Sequence, residues 1–182
     1  MPKIRDLNKE TSLKPAGMIT RSDLKPLPLR EANTCFGCGP MNDCGLHMRF
    51  HTDGQTLYSW LKIPSHLSGW RNIVHGGILT TILDEIMGWS AIYLMKSLVL
   101  TKSITIEFLK PVYVEDEIRA EGKIIERVSE REVLMEGVLF NSSEKLCSKS
   151  RGAFAVFPPE MALKSGMMDE ANLEELDRLI SS

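Results

Sequence analysis

The residues His75-Gly76-Gly77 open an apolar stretch that carries Asp84 seven positions after the second glycine. Glycines at a helix start leave backbone N–H groups without intrahelical partners and open to a ligand oxygen. The helix dipole adds partial positive charge at the same place. A carboxylate farther along supplies a base or a nucleophile. An oxyanion donor, worth on the order of 3 kcal/mol, together with a base is the equipment of acyl transfer.

Helix geometry constrains how the two groups act. Gly76 and Asp84 are eight residues apart, about 12 Å along the axis at the standard helical rise. A carboxylate reaches only a few ångströms from its own backbone, so both groups of one straight helix do not meet at one carbonyl carbon. Two antiparallel copies of the helix about a twofold axis would set Asp84 of one against Gly76 of the other, twice per dimer. The expectation is an obligatory homodimer with composite active sites. Glu85 lies about 100° round the helix and is read as a partner to the site, a solvated residue or a substrate contact.

The elements that must hold these residues follow from periodicity. From Gly76 to about Met95, Leu79, Ile82, Ile86, Trp89 and Tyr93 recur at spacings of three and four, which predicts a helix. Gly77, Thr81, Asp84, Gly88 and Ala91 form a second face, small or polar, suited to close approach. Before the helix, Leu46, Met48 and Phe50 alternate, Asp53-Gly54 turns, and Leu57, Ser59, Leu61 and Ile63 alternate again, as in a hairpin. Residues 65–74, with Trp70 and Asn72, read as a loop. After the helix, Ile104–Phe108, Ile118–Ile124, Val133–Phe140 and Leu146–Phe157 read as strands. Two strands, one long helix and four strands make an α+β arrangement, a helix lying across an antiparallel sheet.

That domain is expected over residues 34–158. Residues 1–33 form an N-terminal arm with Pro2, Pro15, Pro26 and Pro28, in which Leu24, Leu27 and Leu29 can still pack on the domain. After Pro158-Pro159, residues 159–182 form a C-terminal extension with a short acidic amphipathic helix at 169–180.

Composition excludes several roles. The 182 residues, 43% apolar, suffice for one core-bearing domain. A net charge of −2 and the lack of a basic stripe with interleaved aromatics argue against nucleic acid. No apolar run is expected to span a membrane, since Gly88, Ser90 and Tyr93 interrupt Ile86–Met95. The N-terminus lacks a secretory pattern, so a cytoplasmic location with reduced thiols is expected.

Cys35, Cys38, Cys44 and His47 have zinc-type spacing. The loop is short and His47 is expected to open a strand, so small buried thiols without metal are the favoured reading and a structural zinc stays open. Cys147 is expected to pack within its strand. His51 and His66 are isolated, and there is no Gly-x-Ser-x-Gly elbow. Lys102, Lys110 and Arg119 are candidates to meet phosphates at the mouth of a site, or solvated strand-end charges.

The run from Gly69 through His75-Gly76-Gly77 to Asp84-Glu85 resembles the hotdog-fold acyl-CoA thioesterases, specifically the PaaI-like, phenylacetate-pathway type. Cys35-Phe36-Gly37-Cys38-Gly39-Pro40, with Asn42 and Gly45-Leu46, resembles the entry segment of a subgroup, and Thr101–Pro111 the strand after the helix. The likeness covers residues 34–158. It implies a sheet wrapped round a central helix, homodimers that often pair into tetramers, and hydrolysis of acyl-CoA with no metal or other cofactor. By position it implies that the Gly76 N–H polarises the thioester carbonyl and that Asp84 of the other subunit is base or nucleophile. His75 would shape the helix start and Thr101 would position water or the carboxylate. Gly77, Asn72, Trp70, Glu85 and Lys110 would contact substrate. Several relatives carry asparagine where this chain has Gly69. That departure keeps open a non-catalytic hotdog module binding acyl-CoA or a hydrophobic ligand; a hydratase on the same fold has weaker support. A small, aromatic or medium-chain acyl group fits equally well.

Overall fold

The structure is a computed structural model and describes residues 19–28 and 31–181. Residues 1–18 of the arm, and Leu29, lie outside the described residues. Two short strands, β1 (Lys25–Pro26) and β2 (His51–Thr52), precede β3 (Thr56–Lys62). A separate pair, β4 (Ser68–Trp70) and β5 (Ile73–Val74), leads into the helix α1 (Gly76–Met95). Four long strands follow: β6 (Leu98–Phe108), β7 (Glu117–Ser129), β8 (Glu132–Asn141) and β9 (Leu146–Phe157). Helices α2 (Pro159–Lys164) and α3 (Glu170–Ser181) complete the order.

The main sheet has seven strands in the order β1-β2-β3-β7-β8-β9-β6, each pair antiparallel. α1 lies against β3 and β6–β9, the α+β arrangement predicted from the periodicity. Leu79, Ile82, Leu83, Ile86 and Met87 of α1 are buried, each side chain contributing about 1.5–3 kcal/mol of burial. The helix comes very close to β7 because Gly122 has no side chain. A Cβ there would lie 2.4 Å from Ser90 Oγ and 2.6 Å from the Ile86 carbonyl oxygen.

Several expectations are corrected. Leu46, Met48 and Phe50 are buried in alternation, yet they form no strand. Their backbone hydrogen bonds go instead to loops: Leu46 and Met48 N–H donate to the Phe36 and Gly37 carbonyls, and the Phe50 carbonyl accepts from Leu27. His47 therefore opens no strand; it is exposed with φ +50°. Residues 65–74 are not all loop, because β4 and β5 pair there. Ala91 sits in the core rather than on the open face of α1. α1 itself, with mean hydropathy 1.3 over its most apolar window, is long and apolar enough to cross a membrane by composition, despite its polar interruptions; here it is the central helix of the sheet. Leu27 of the arm and Leu176 and Leu179 of α3 join the same core as α1.

Candidate active site

His75 caps α1 with its own side chain. Its backbone is extended (φ −61°, ψ 135°) and its Nδ1 accepts from the Gly77 N–H at 2.9 Å. That bond uses one of the two glycine donors. The Gly76 N–H has no acceptor among the described residues, so the outermost amide of the helix is the one left for a ligand. Farther in, Thr80 and Thr81 hydroxyls donate to the Gly76 and Gly77 carbonyls, both at 3.0 Å.

Beside Gly76 lies an open depression of about 340 Å³, lined by Ile73, Val74, Leu79, Phe108 and Lys110 among others. A Cβ added at Gly76 would meet only Phe108 Cζ, at 3.8 Å. Lys110 is the one of three candidate cations that lines it. Lys102 Nζ pairs with Glu132 at 2.5 Å, and Arg119 is buried between Glu121 and Glu144. Trp70 is 77% exposed, and Tyr113, whose backbone bridges Ile73, is exposed too. The Asn72 side chain is exposed, while its carbonyl accepts from Val114 N–H.

Asp84 occupies a second locality. Thr101 Oγ1 donates to Asp84 Oδ1 at 2.8 Å, joining α1 to β6. This contact depends on a bulge: Thr101 pairs with Phe154 but Ser103 with Ala153, leaving Lys102 as the extra residue. Val99 is buried and Ile104 packs on the core. They are five positions apart, an odd offset, which an unbroken strand would put on opposite faces. The bulge switches parity so that Thr101 and Ile104 both turn toward α1. That parity change is written in the sequence and signals the bulge.

The structure thus brings Asp84 and Thr101 together, and groups His75, Gly76 and Lys110 elsewhere. Along α1 the two groups are about 12 Å apart.

Residues 71–148 match the family model of the thioesterase superfamily. A Streptococcus pneumoniae protein described as a hypothetical thioesterase, crystallised with coenzyme A, superposes with TM-score 0.54 at 20% identity over 58% of this chain and 80% of that one. The PaaI protein of the Escherichia coli phenylacetic acid degradation operon superposes with TM-score 0.56 at 17% identity, over 62% and 80%. A Streptococcus mutans protein bound to acetyl CoA does so with TM-score 0.55 at 12%, over 74% and 89%. The chain has the hotdog fold, and its residues 71–148 are similar to the thioesterase superfamily. A comparison with curated proteins finds no match.

In this hotdog domain Gly69 stands directly against the helix cap. A Cβ there would lie 3.1 Å from His75 Cα, so a side chain at this position would adjoin His75, and this chain supplies none. Glu85 is turned away from Asp84, and its placement does not fit a substrate contact. Its Oε1 accepts from Cys35 Sγ–H at 3.2 Å, and its Cγ sits where a Gly37 side chain would be. Burial first, then the Glu85 carboxylate and the Cys35 sulfur, push the Cys38 thiol well above its ordinary range. Sequence spacing did not reveal the contact of Glu85 with this loop; its trace is the side-chain-free position Gly37, where a Cβ would meet Glu85 Cγ.

Proposed function

We propose that the protein is an acyl-CoA thioesterase whose reaction centre combines the Gly76 N–H of one protomer with Asp84 of the partner subunit. The observation that carries this reading is the separation itself. One helix offers a free amide and a hydroxyl-oriented carboxylate, both accessible and too far apart to serve one thioester. β6 supports a second chain: it is an eleven-residue edge strand with Leu100 exposed, an edge that proteins normally cover.

In this reading the thioester carbonyl rests at the start of α1. Asp84 takes a proton from water as it attacks, or attacks the carbonyl carbon itself, and Thr101 holds one carboxylate oxygen in place. The tetrahedral oxyanion accepts from Gly76 N–H near the positive end of the helix dipole. Collapse breaks the C–S bond. In the general-base route the thiolate of coenzyme A takes up the proton held by Asp84 and the free acid leaves. In the nucleophilic route the mixed anhydride formed on Asp84 is then hydrolysed by water to the free acid. The depression next to Gly76, apolar with Lys110 at its edge, suits a small, aromatic or medium-chain acyl thioester. Coenzyme A and acetyl CoA in the streptococcal relatives support this ligand class. Further structures of the pneumococcal protein carry an aspartate or a threonine changed to alanine, the residue types that pair here.

Complementation tests the composite site. Asp84→Asn and Gly76→Pro chains are each expected to be inactive, whereas a randomly mixed population of dimers regains about a quarter of wild-type turnover through one intact site per heterodimer. Mixed dimers with no recovered activity would sink the shared site. A second reading, a binding module without turnover, is favoured by the empty side-chain position at Gly69. Saturable acyl-CoA binding with no thiol release across a panel of acyl groups would select it.

A further inference from the structure

The loop Cys35-Phe36-Gly37-Cys38 and Glu85 of α1 form a cluster that thioester chemistry leaves unused. Cys35 Sγ, Cys38 Sγ and a Glu85 carboxylate oxygen all lie within 4.8 Å of one another. Tetrahedral zinc with thiolates at about 2.3 Å sets its sulfurs about 3.7 Å apart, so small side-chain rotations bring the three onto one ion. Two independent observations point to a cation there. Glu85 Oε2 is buried with no hydrogen-bond partner among the described residues, a costly state for a carboxylate. Each sulfur also already accepts N–H donors. Gly37 N–H donates to Cys35 Sγ at 3.4 Å, and Trp89 Nε1–H and Asn33 Nδ2–H donate to Cys38 Sγ at 3.3 and 3.4 Å. Such outer donors orient ligands and stabilise metal-bound thiolates.

The loop is built tightly around this point. A Cβ at Gly37 would fall 2.2 Å from Glu85 Cγ, and one at Gly39 would fall 2.4 Å from the Cys35 nitrogen. We propose that Cys35, Cys38 and Glu85 bind a thiophilic divalent cation of the zinc class, with the fourth position open to water. The donor set departs from the one suggested by sequence spacing. Cys44 and His47 are both exposed and stand outside the cluster. Binding exchanges two thiol protons for one cation and involves no change of oxidation state, so affinity rises with pH. The bound ion would clamp the loop to α1 one residue from Asp84 and hold the helix in the rotation that aims Asp84 at β6.

The test uses the full chain, reduced, freed of reductant and kept anaerobic. Zn²⁺ alone is titrated against a chromophoric chelator, and Co²⁺ serves as the spectroscopic probe. The expected result is one cation per chain, thiolate-to-cobalt charge-transfer absorption and release of two protons. Cys38→Ser and Glu85→Gln should each weaken Zn²⁺ binding by at least the roughly 100-fold that loss of an outer partner can cost, whereas Cys44→Ser and His47→Ala bind as the wild type does. Reduced wild-type protein that takes up no Zn²⁺ at micromolar concentration would overturn the proposal, whether or not Cys35 and Cys38 then oxidise to a disulfide. Zn²⁺ binding that survives Glu85→Gln but is lost in Cys44→Ser would overturn it as well. Neither readout depends on thioesterase activity.

Discussion

Asp84 and Glu85 are consecutive carboxylates on one helix, and the tertiary structure gives them opposite surroundings. Asp84 faces the edge strand β6, partly open, with one oxygen held by Thr101. Glu85 faces the cysteine loop, with one oxygen against Cys35 and the other buried and unpaired. A rotation of about 100° per residue therefore separates a partly open side from a side closed by the protein's own loop. Identical chemistry at neighbouring positions serves different ends because the partners differ: a hydroxyl that orients, against thiols that share a ligand-like cluster. The lesson concerns local environment more than residue type.

The sharpest way to break the comparison is Asp84→Asn. It should lower kcat for a responsive acyl-CoA by about 10³-fold, within the range of a lost general base, with the oligomeric state unchanged by light scattering. Near-normal turnover would remove Asp84 from the chemistry. Next in size, Gly76→Pro tests the amide alone. The N1 position tolerates proline, and the extended His75 backbone suits the residue before it. The helix should therefore persist by circular dichroism while kcat falls about 10²-fold.

On the Glu85 side, Gly37→Ala drives a methyl into Glu85 Cγ and should cost about 1–3 kcal/mol in urea unfolding, the range for overpacking. Gly76→Ala, with open space at its Cβ, should cost close to nothing; equal penalties would mean that the loop yields freely. Thr101→Val removes a single orienting hydrogen bond and should reduce kcat about fivefold, matching roughly 1 kcal/mol, with KM little changed. A rise in KM alone would recast Thr101 as a substrate contact. Smallest of all, Glu85→Gln should leave the metal-free chain as stable as the wild type, or more stable by up to about 1 kcal/mol, since a carboxylate with one buried, unpaired oxygen is replaced by a neutral amide. A large loss in urea melts would show that the carboxylate supports the apo fold by itself.

Much of this was legible along the chain, because periodicity records which face of an element is buried. The spacing of Leu79, Ile82, Ile86 and Trp89 defined α1 to its observed ends. Alternation marked the cores of β3, β7, β8 and β9. Where alternation misled, at Leu46–Phe50, the burial was real but the hydrogen bonds went to loops; burial periodicity does not say which backbone is the partner. The candidate site divides in the same way. Gly76, His75 and Asp84 stand out by type and spacing. Which glycine amide stays free was decided by the His75 side chain, and the reach of Thr101 by a bulge at Lys102.

The order of residues by itself determined the long helix, the strands around it, and a glycine start and an acid that one helix holds about 12 Å apart, because these are properties of local geometry. Only the folded chain decided that Glu85 turns into the cysteine loop while Cys44 and His47 stay outside it. The contact joins positions fifty residues apart. It depends on how the loop packs over α1, where Gly37 leaves room for the carboxylate, and spacing along the chain does not encode that packing.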